Sequence, residues 1–197
     1  MKSLLLLFVV FISGCCAFTS QDCGCQPPSP ELTAKAREWI NPYDNKAFLL
    51  FEDENNIVDT FKLERVEDIE FIGGDECGTD GEVQRAVLTS TQNPSLTFTI
   101  SATRKEVVEI NGYDETDKQL FVEISTSNET TFVKNENSTA IFDENYVWDS
   151  DTIKVLNVDC AGGSNCLEYP MKGFVLSKDL GLLNFTTNED KVWKRIE

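Results

Sequence analysis

Residues 96–101 read Leu-Thr-Phe-Thr-Ile-Ser. Leu96, Phe98 and Ile100 alternate with Thr97, Thr99 and Ser101. A period of two sends the apolar set to one face of a β-strand and the polar set to the other. Thr, Phe and Ile also suit a pleated, half-buried surface. The same alternation recurs on either side. Phe61 and Leu63 alternate with Thr60, Lys62 and Glu64; Leu120, Val122 and Ile124 share a face, and so do Leu183 and Phe185. Strands are expected over 46–52, 57–65, 67–72, 82–91, 96–103, 106–112, 119–126, 130–134, 152–158, 172–177, 181–187 and 190–196. Asn55-Asn56, Asn93-Pro94-Ser95 and Asn111-Gly112 supply turn signals, and Gly73-Gly74 with Cys77-Gly78 mark a longer loop. No repeat of 20–50 residues accompanies them. The expectation is a mainly β fold: short antiparallel strands in consecutive hairpins, arranged as a sandwich or a curved half-barrel.

Upstream of the strands the character changes. Lys2 precedes the apolar run Leu4–Ile12 (LLLLFVVFI), which is far short of the roughly 20 residues a membrane-spanning helix needs and fits a secretory leader. Ile12-Ser13-Gly14-Cys15 follows. This tetrad resembles the lipobox of bacterial envelope lipoproteins, in which the cysteine thiol is acylated and the leader is cut before it. The resemblance implies lipidation at Cys15, a cell-envelope location and attachment to the membrane through the lipid. Two or more acyl chains hold a protein stably, where one does so only marginally. Position 16 is Cys, not the Asp that some sorting systems read for inner-membrane retention, which points to the outer membrane. Residues 16–29 (CAFTSQDCGCQPPS) are small, polar and Pro-containing, and read as a tether. The division is therefore a leader over 1–14, a flexible tether over 15–30 and one β-rich domain over 31–197. Ser29-Pro30-Glu31 looks like an N-cap with Pro at the first helical position, so one short N-terminal helix is expected from Glu31 to Ile40, stopped by Asn41-Pro42.

The closing stretch, FVLSKDLGLLNFTTNEDKVWKRI, resembles the last strands of β-rich exported bacterial lipoproteins. Some of these adopt the curved half-barrel sheet of lipoprotein carriers. On the residues alone, Gly181 relieves backbone crowding where strands bend.

With Cys15 lipidated, Cys16, Cys23, Cys25, Cys77, Cys160 and Cys166 remain, an even number in an exported chain and hence a disulfide framework. Cys160 and Cys166 flank the turn-rich Ala-Gly-Gly-Ser-Asn and are expected to pair. Cys77 is a candidate partner for a tether cysteine, Cys23 or Cys25.

The chain has 197 residues, is 41% hydrophobic with 13 Phe and 3 Trp, and carries a formal charge of −17. That is ample material for a core. The acidity argues against nucleic acid, whose phosphates need basic patches, and against charge-driven membrane binding. Histidine is absent, which removes Ser-His-Asp and Cys-His catalysis and the commonest transition-metal ligand. Asp75, Glu76, Asp80 and Glu82 cluster in one expected loop, and Asp149 and Asp151 sit in another beside Asp143 and Glu144, but no twelve-residue calcium loop is present. No phosphate loop, dinucleotide fingerprint or SxxK nucleophile occurs. Trp39, Trp148 and Trp193 are expected as core or hairpin anchors. No catalytic residue, metal ligand or cofactor is assigned. The functional expectation is a non-catalytic, lipid-anchored binding or structural module that meets an envelope protein or glycan. The alternative is a carrier of an apolar ligand, lipid or acyl chain, within a curved sheet.

Overall fold

The computed structural model describes residues 31–72, 79–103, 107–113, 119–125, 130–133, 138–160 and 171–196. The expected leader and tether lie outside them. The described residues form one antiparallel sheet of twelve strands: β1 (Phe48–Asp53), β2 (Val58–Ile72), β3 (Thr79–Ser90), β4 (Thr97–Thr103), β5 (Val107–Tyr113), β6 (Gln119–Ser125), β7 (Thr130–Val133), β8 (Ser138–Trp148), β9 (Asp151–Cys160), β10 (Met171–Ser177), β11 (Gly181–Thr187) and β12 (Val192–Ile196). The order is β7-β6-β5-β4-β3-β2-β1-β12-β11-β10-β9-β8. Consecutive strands pair, except β7 with β8, which stand at the two ends of the order, and one pairing is long-range. The first and last strands pair in mid-sheet, Leu50 opposite Ile196 and Asp53 opposite Trp193.

The half-barrel form is the one realised. The sheet curls so that its edge strands approach without pairing, and Thr131 Oγ1 on β7 donates to the Ala140 carbonyl on β8 at 2.9 Å. Its concave side is filled. Phe51, Phe61, Phe98, Phe174 and Phe185 are all buried and touch ring to ring, from 5.1 Å between Phe51 and Phe61 to 6.3 Å between Phe98 and Phe174. Phe98 lies on β4 and Phe174 on β10, with β3, β2, β1, β12 and β11 between them in the sheet. Their edge-on contact therefore crosses the interior. Leu88, Ile100, Ile110, Leu156, Leu176 and Leu182 complete this core. A smaller cluster of Val155, Val175 and Leu183, flanked by Tyr146 and Trp148, forms separately. Val155 and Leu156 are consecutive on β9 yet belong to different clusters, as side-chain alternation across a sheet requires.

The sequence-based strands are largely present, with four corrections. The residues expected as strands over 57–65 and 67–72 form one strand, β2. Arg65 faces inward there, donating to the Ile40 carbonyl at 3.1 Å, and the strand runs on through Val66. Strand β8 went unread because Asp143-Glu144-Asn145 breaks the alternation. A bulge lies between Asp143 and Tyr146, and the Asn145 amide donates to Asp143 Oδ1 at 2.8 Å, so the inward phase slips. Asn111-Gly112 is not a turn: Gly112 lies within β5, opposite Phe98 on one side and Leu120 on the other. The helix is also shorter than expected. It covers only Ala34–Arg37, capped by Thr33, whose hydroxyl accepts from the Ala36 amide at 3.3 Å. A 3-10 turn, Asn41–Tyr43, follows. Leu32, Ala36, Trp39, Ile40 and Tyr43 are all buried. So short a helix has little stability of its own, and this segment is held by what it buries.

Candidate functional site

The N-terminal segment is where the fold meets the expected tether, and it is fastened to the concave side of the sheet. Glu82 on β3 is the main clasp. Its carboxylate accepts from the Leu32 amide at 3.0 Å, from the Arg37 guanidinium at 3.0 Å and from Gln84 Nε2 at 2.7 Å. These donors, the Leu32 amide first, hold its carboxyl below the usual carboxylate range. Arg65 on β2 is the second clasp, with its bond to Ile40 and an ion pair to Asp44 at 3.1 Å. Tyr43 is the third. Its hydroxyl accepts from the Leu182 amide at 2.9 Å and its ring lies over Gly181. A methyl group at Gly181 would come within 2.9–3.0 Å of that ring, and the backbone there has φ +83°. Burial pushes the Tyr43 phenol well above its ordinary value; the Leu182 amide and nearby Arg195 oppose that shift only in part.

Hairpin turns set the rim. Asp149 and Ser150, with φ 45° and 75°, join Trp148 to its cross-strand partner Asp151. Positive φ at both positions is the signature of a two-residue I′ turn. Between β1 and β2, Asp53 Oδ1 accepts from the amides of Ile57 at 2.9 Å and Asn55 at 2.8 Å, which lowers the Asp53 pKa. Two hollows open at the end of β12. One, of about 240 Å³, is lined by Trp148, Asp149, Leu180, Arg195 and Ile196. The other, of about 160 Å³, shares Arg195 and Ile196 and adds Phe48 and Leu50.

The structure places the sequence-based site residues as follows. Cys15, Cys23, Cys25, Cys77 and Cys166 lie outside the described residues. Cys160 is buried at the end of β9 and is disulfide-bonded. Asp75 and Glu76 also lie outside. Asp80 and Glu82 belong to strand β3, not to a loop, and Glu82 is committed to the clasp. Glu144 pairs with Lys154 at 3.5 Å. Among the described residues no three His, Cys, Asp or Glu side chains are grouped as a metal would need. Trp39 is in the core and Trp193 stacks on Phe185 with centroids 6.1 Å apart. Trp148 adjoins the I′ turn as a hairpin anchor. The clasp was not foreseen, because no local pattern links Glu82 to Leu32, fifty residues away.

No family model, curated protein or solved structure matches the chain.

Proposed function

We propose that this chain is an exported lipoprotein, acylated on Cys15 and anchored to the cell envelope at the outer membrane, which acts there by binding rather than by catalysis. The observation that carries the reading is Ile12-Ser13-Gly14-Cys15 directly after the apolar run Leu4–Ile12. The domain supports it in one respect. The chain reaches the sheet at Leu32, where the Glu82 clasp fixes it, so residues 15–30 connect an anchored cysteine to a fixed point on the sheet. An envelope protein or a glycan is the partner class that suits an acidic, polar surface. Cells fed a labelled fatty acid should incorporate the label, and Cys15→Ala should abolish it. Label retained in that variant refutes the anchor.

The carrier reading draws support from the curled single sheet. The Phe51–Phe61–Phe98–Phe174–Phe185 cluster weighs against it, because these rings occupy the space an acyl chain would need. Native mass spectrometry of the purified protein separates the two readings. A second, non-covalent acyl lipid held after the anchor is accounted for favours the carrier.

A further inference from the structure

Antiparallel strands joined by hairpins turn at alternate ends of their sheet. Here the start of β1, the finish of β12 and the turns β8–β9 and β10–β11 share one end, since Leu50 near the start of β1 stands opposite Ile196 near the finish of β12. The finish of β2 and the start of β3 lie at this end too. The turns β1–β2, β3–β4 and β11–β12 lie at the other end.

Two independent features meet at the first end. One is the entry of the chain. Leu32 is tied to Glu82 near the start of β3, the ring of Tyr43 lies over Gly181, and Lys178 in the β10–β11 turn pairs with Glu38 at 3.0 Å. The other is an apolar band. The two hollows at the end of β12 share Ile196, so Trp148 and Leu180 on one side of it and Phe48 on the other form a continuous strip. Val147, next to Trp148, is 67% exposed and Phe48 54%. Ile69, 62% exposed, stands opposite Glu82 across the β2–β3 ladder, beside the entry point itself. The other end exposes Ile57 and Val58, but these two adjoin the polar run Asp53-Glu54-Asn55-Asn56 and continue into no band.

The length of chain before the entry decides what this band meets. A flexible chain the length of residues 15–30 spans roughly 20–24 Å on average, about half the breadth of a domain of this size. A lipid on Cys15 thus keeps the entry end toward the membrane, and brings the band with it. Charge does not hold the domain there, because a net −17 is repelled by anionic lipid. Apolar contact can, and Trp and Phe suit the headgroup boundary.

We propose that the band of Val147, Trp148, Leu180, Ile196 and Phe48 rests on the lipid surface in which Cys15 is anchored, with the β1–β2 and β11–β12 turns pointing away from the membrane. The proposal rests on the reading of Cys15 as the anchor.

The full-length acylated protein, reconstituted into phosphatidylcholine vesicles containing a little aryl-diazirine phosphatidylcholine, provides the test. Flotation with the vesicles reads the anchor. Photolabelling, with sites assigned to single residues by fragmentation, reads the orientation. Label is expected at Phe48, Trp148 and Leu180, and not at Gln92, Asn93 or Glu189. Phe48→Ser should lower labelling at Trp148 and Leu180 about fivefold, because roughly half of that side chain is still open to burial. Val147→Ser should act in the same direction, and Ile57→Ser, at the opposite end, should change nothing. Protein that fails to float overturns the anchor and this proposal with it. Protein that floats but is labelled equally at both ends, only at the far end, or not at all, leaves the anchor standing and overturns the proposal.

Discussion

Replacing Gly181 with Ala tests how the N-terminal segment is locked to the sheet. Two costs are expected, and they are separable. The backbone at Gly181 has φ +83°, where an L-residue pays roughly 1–2 kcal/mol. The added methyl would also stand 2.9 Å from Tyr43 Cζ and 3.0 Å from Cε1 and Oη. Tyr43 is fully buried, and its hydroxyl accepts from the Leu182 amide. The ring therefore cannot retreat without leaving a buried amide unpaired. Overpacking of this kind costs about 1–3 kcal/mol. The total is about 2–5 kcal/mol, a large part of the 5–15 kcal/mol that holds an ordinary domain together. Urea unfolding followed by near-ultraviolet circular dichroism measures it as a lowered midpoint at constant slope. Tyr43→Leu supplies the control, since shortening the side chain relieves the clash and leaves φ unchanged. In that background Gly181→Ala should cost only about 1–2 kcal/mol, the backbone share. An equal cost in both backgrounds refutes the steric half of the reasoning. A cost below about 0.5 kcal/mol in wild type refutes both halves, because even the backbone share exceeds it.

Other contacts carry expectations of their own. Donors hold the carboxyls of Glu82 and Asp53 below their unfolded values, so between the folded and unfolded pKa values the unfolded chain binds more protons. Their contribution is complete above about pH 4.3, the free Glu value, and is lost as pH falls through the folded values; Glu82→Gln should flatten part of the acid limb of a stability–pH curve. Tyr43 is shifted the other way. Its contribution is complete below about pH 10, the free phenol value, and is lost as pH rises toward the folded value, so Tyr43→Phe should reduce the alkaline loss seen in a pH series of unfolding midpoints. Non-reducing peptide mapping should recover Cys160 linked to Cys166, a closure worth about 2 kcal/mol in the chain-entropy model. Recovery of Cys160 joined to Cys77 or to a tether cysteine refutes that pairing.

What could be read from the sequence was what is local. Leu96-Thr97-Phe98-Thr99-Ile100-Ser101 announced β4, and Asn55-Asn56 the first hairpin, where Asn56 takes φ 60°. The losses occurred where tertiary contact overrode the local pattern. Arg65 occupies a core-facing position because the Ile40 carbonyl and Asp44 receive it there. The bulge at Asp143–Tyr146 erased the period of β8. Asp149-Ser150 makes a tight turn without the Asn-Gly or Asp-Gly pair that would have signalled it. A hollow beside Trp39 joins the N-terminal segment to strands β8, β9 and β10, more than a hundred residues later in the chain, and no periodicity in one sequence records such a meeting.

The strand order shows why the closure of the sheet, in particular, could not be read. From β1 to β7 and from β8 to β12 the chain forms two arms, each a run of hairpins between neighbours. Hairpins close short loops, and their pairing is written in turns and alternation. The arms join through one long-range ladder, β1 with β12, which pairs Asp53 with Trp193. A ladder of that separation has no local signature and is expected to form late, after the chain has met its large loop-closure cost. Its register must then be fixed from the side by packing. Phe51, Phe61 and Phe98 come from the first arm, and Phe174 and Phe185 from the second. Phe185 touches Phe51 at 5.3 Å, Phe61 at 5.5 Å and Phe98 at 5.1 Å, and Trp193 stacks on it. The rings that fill the concave side are thus also the rings that bind the two arms together. Emptying that space for a ligand would weaken the joint that sets the curl of the sheet.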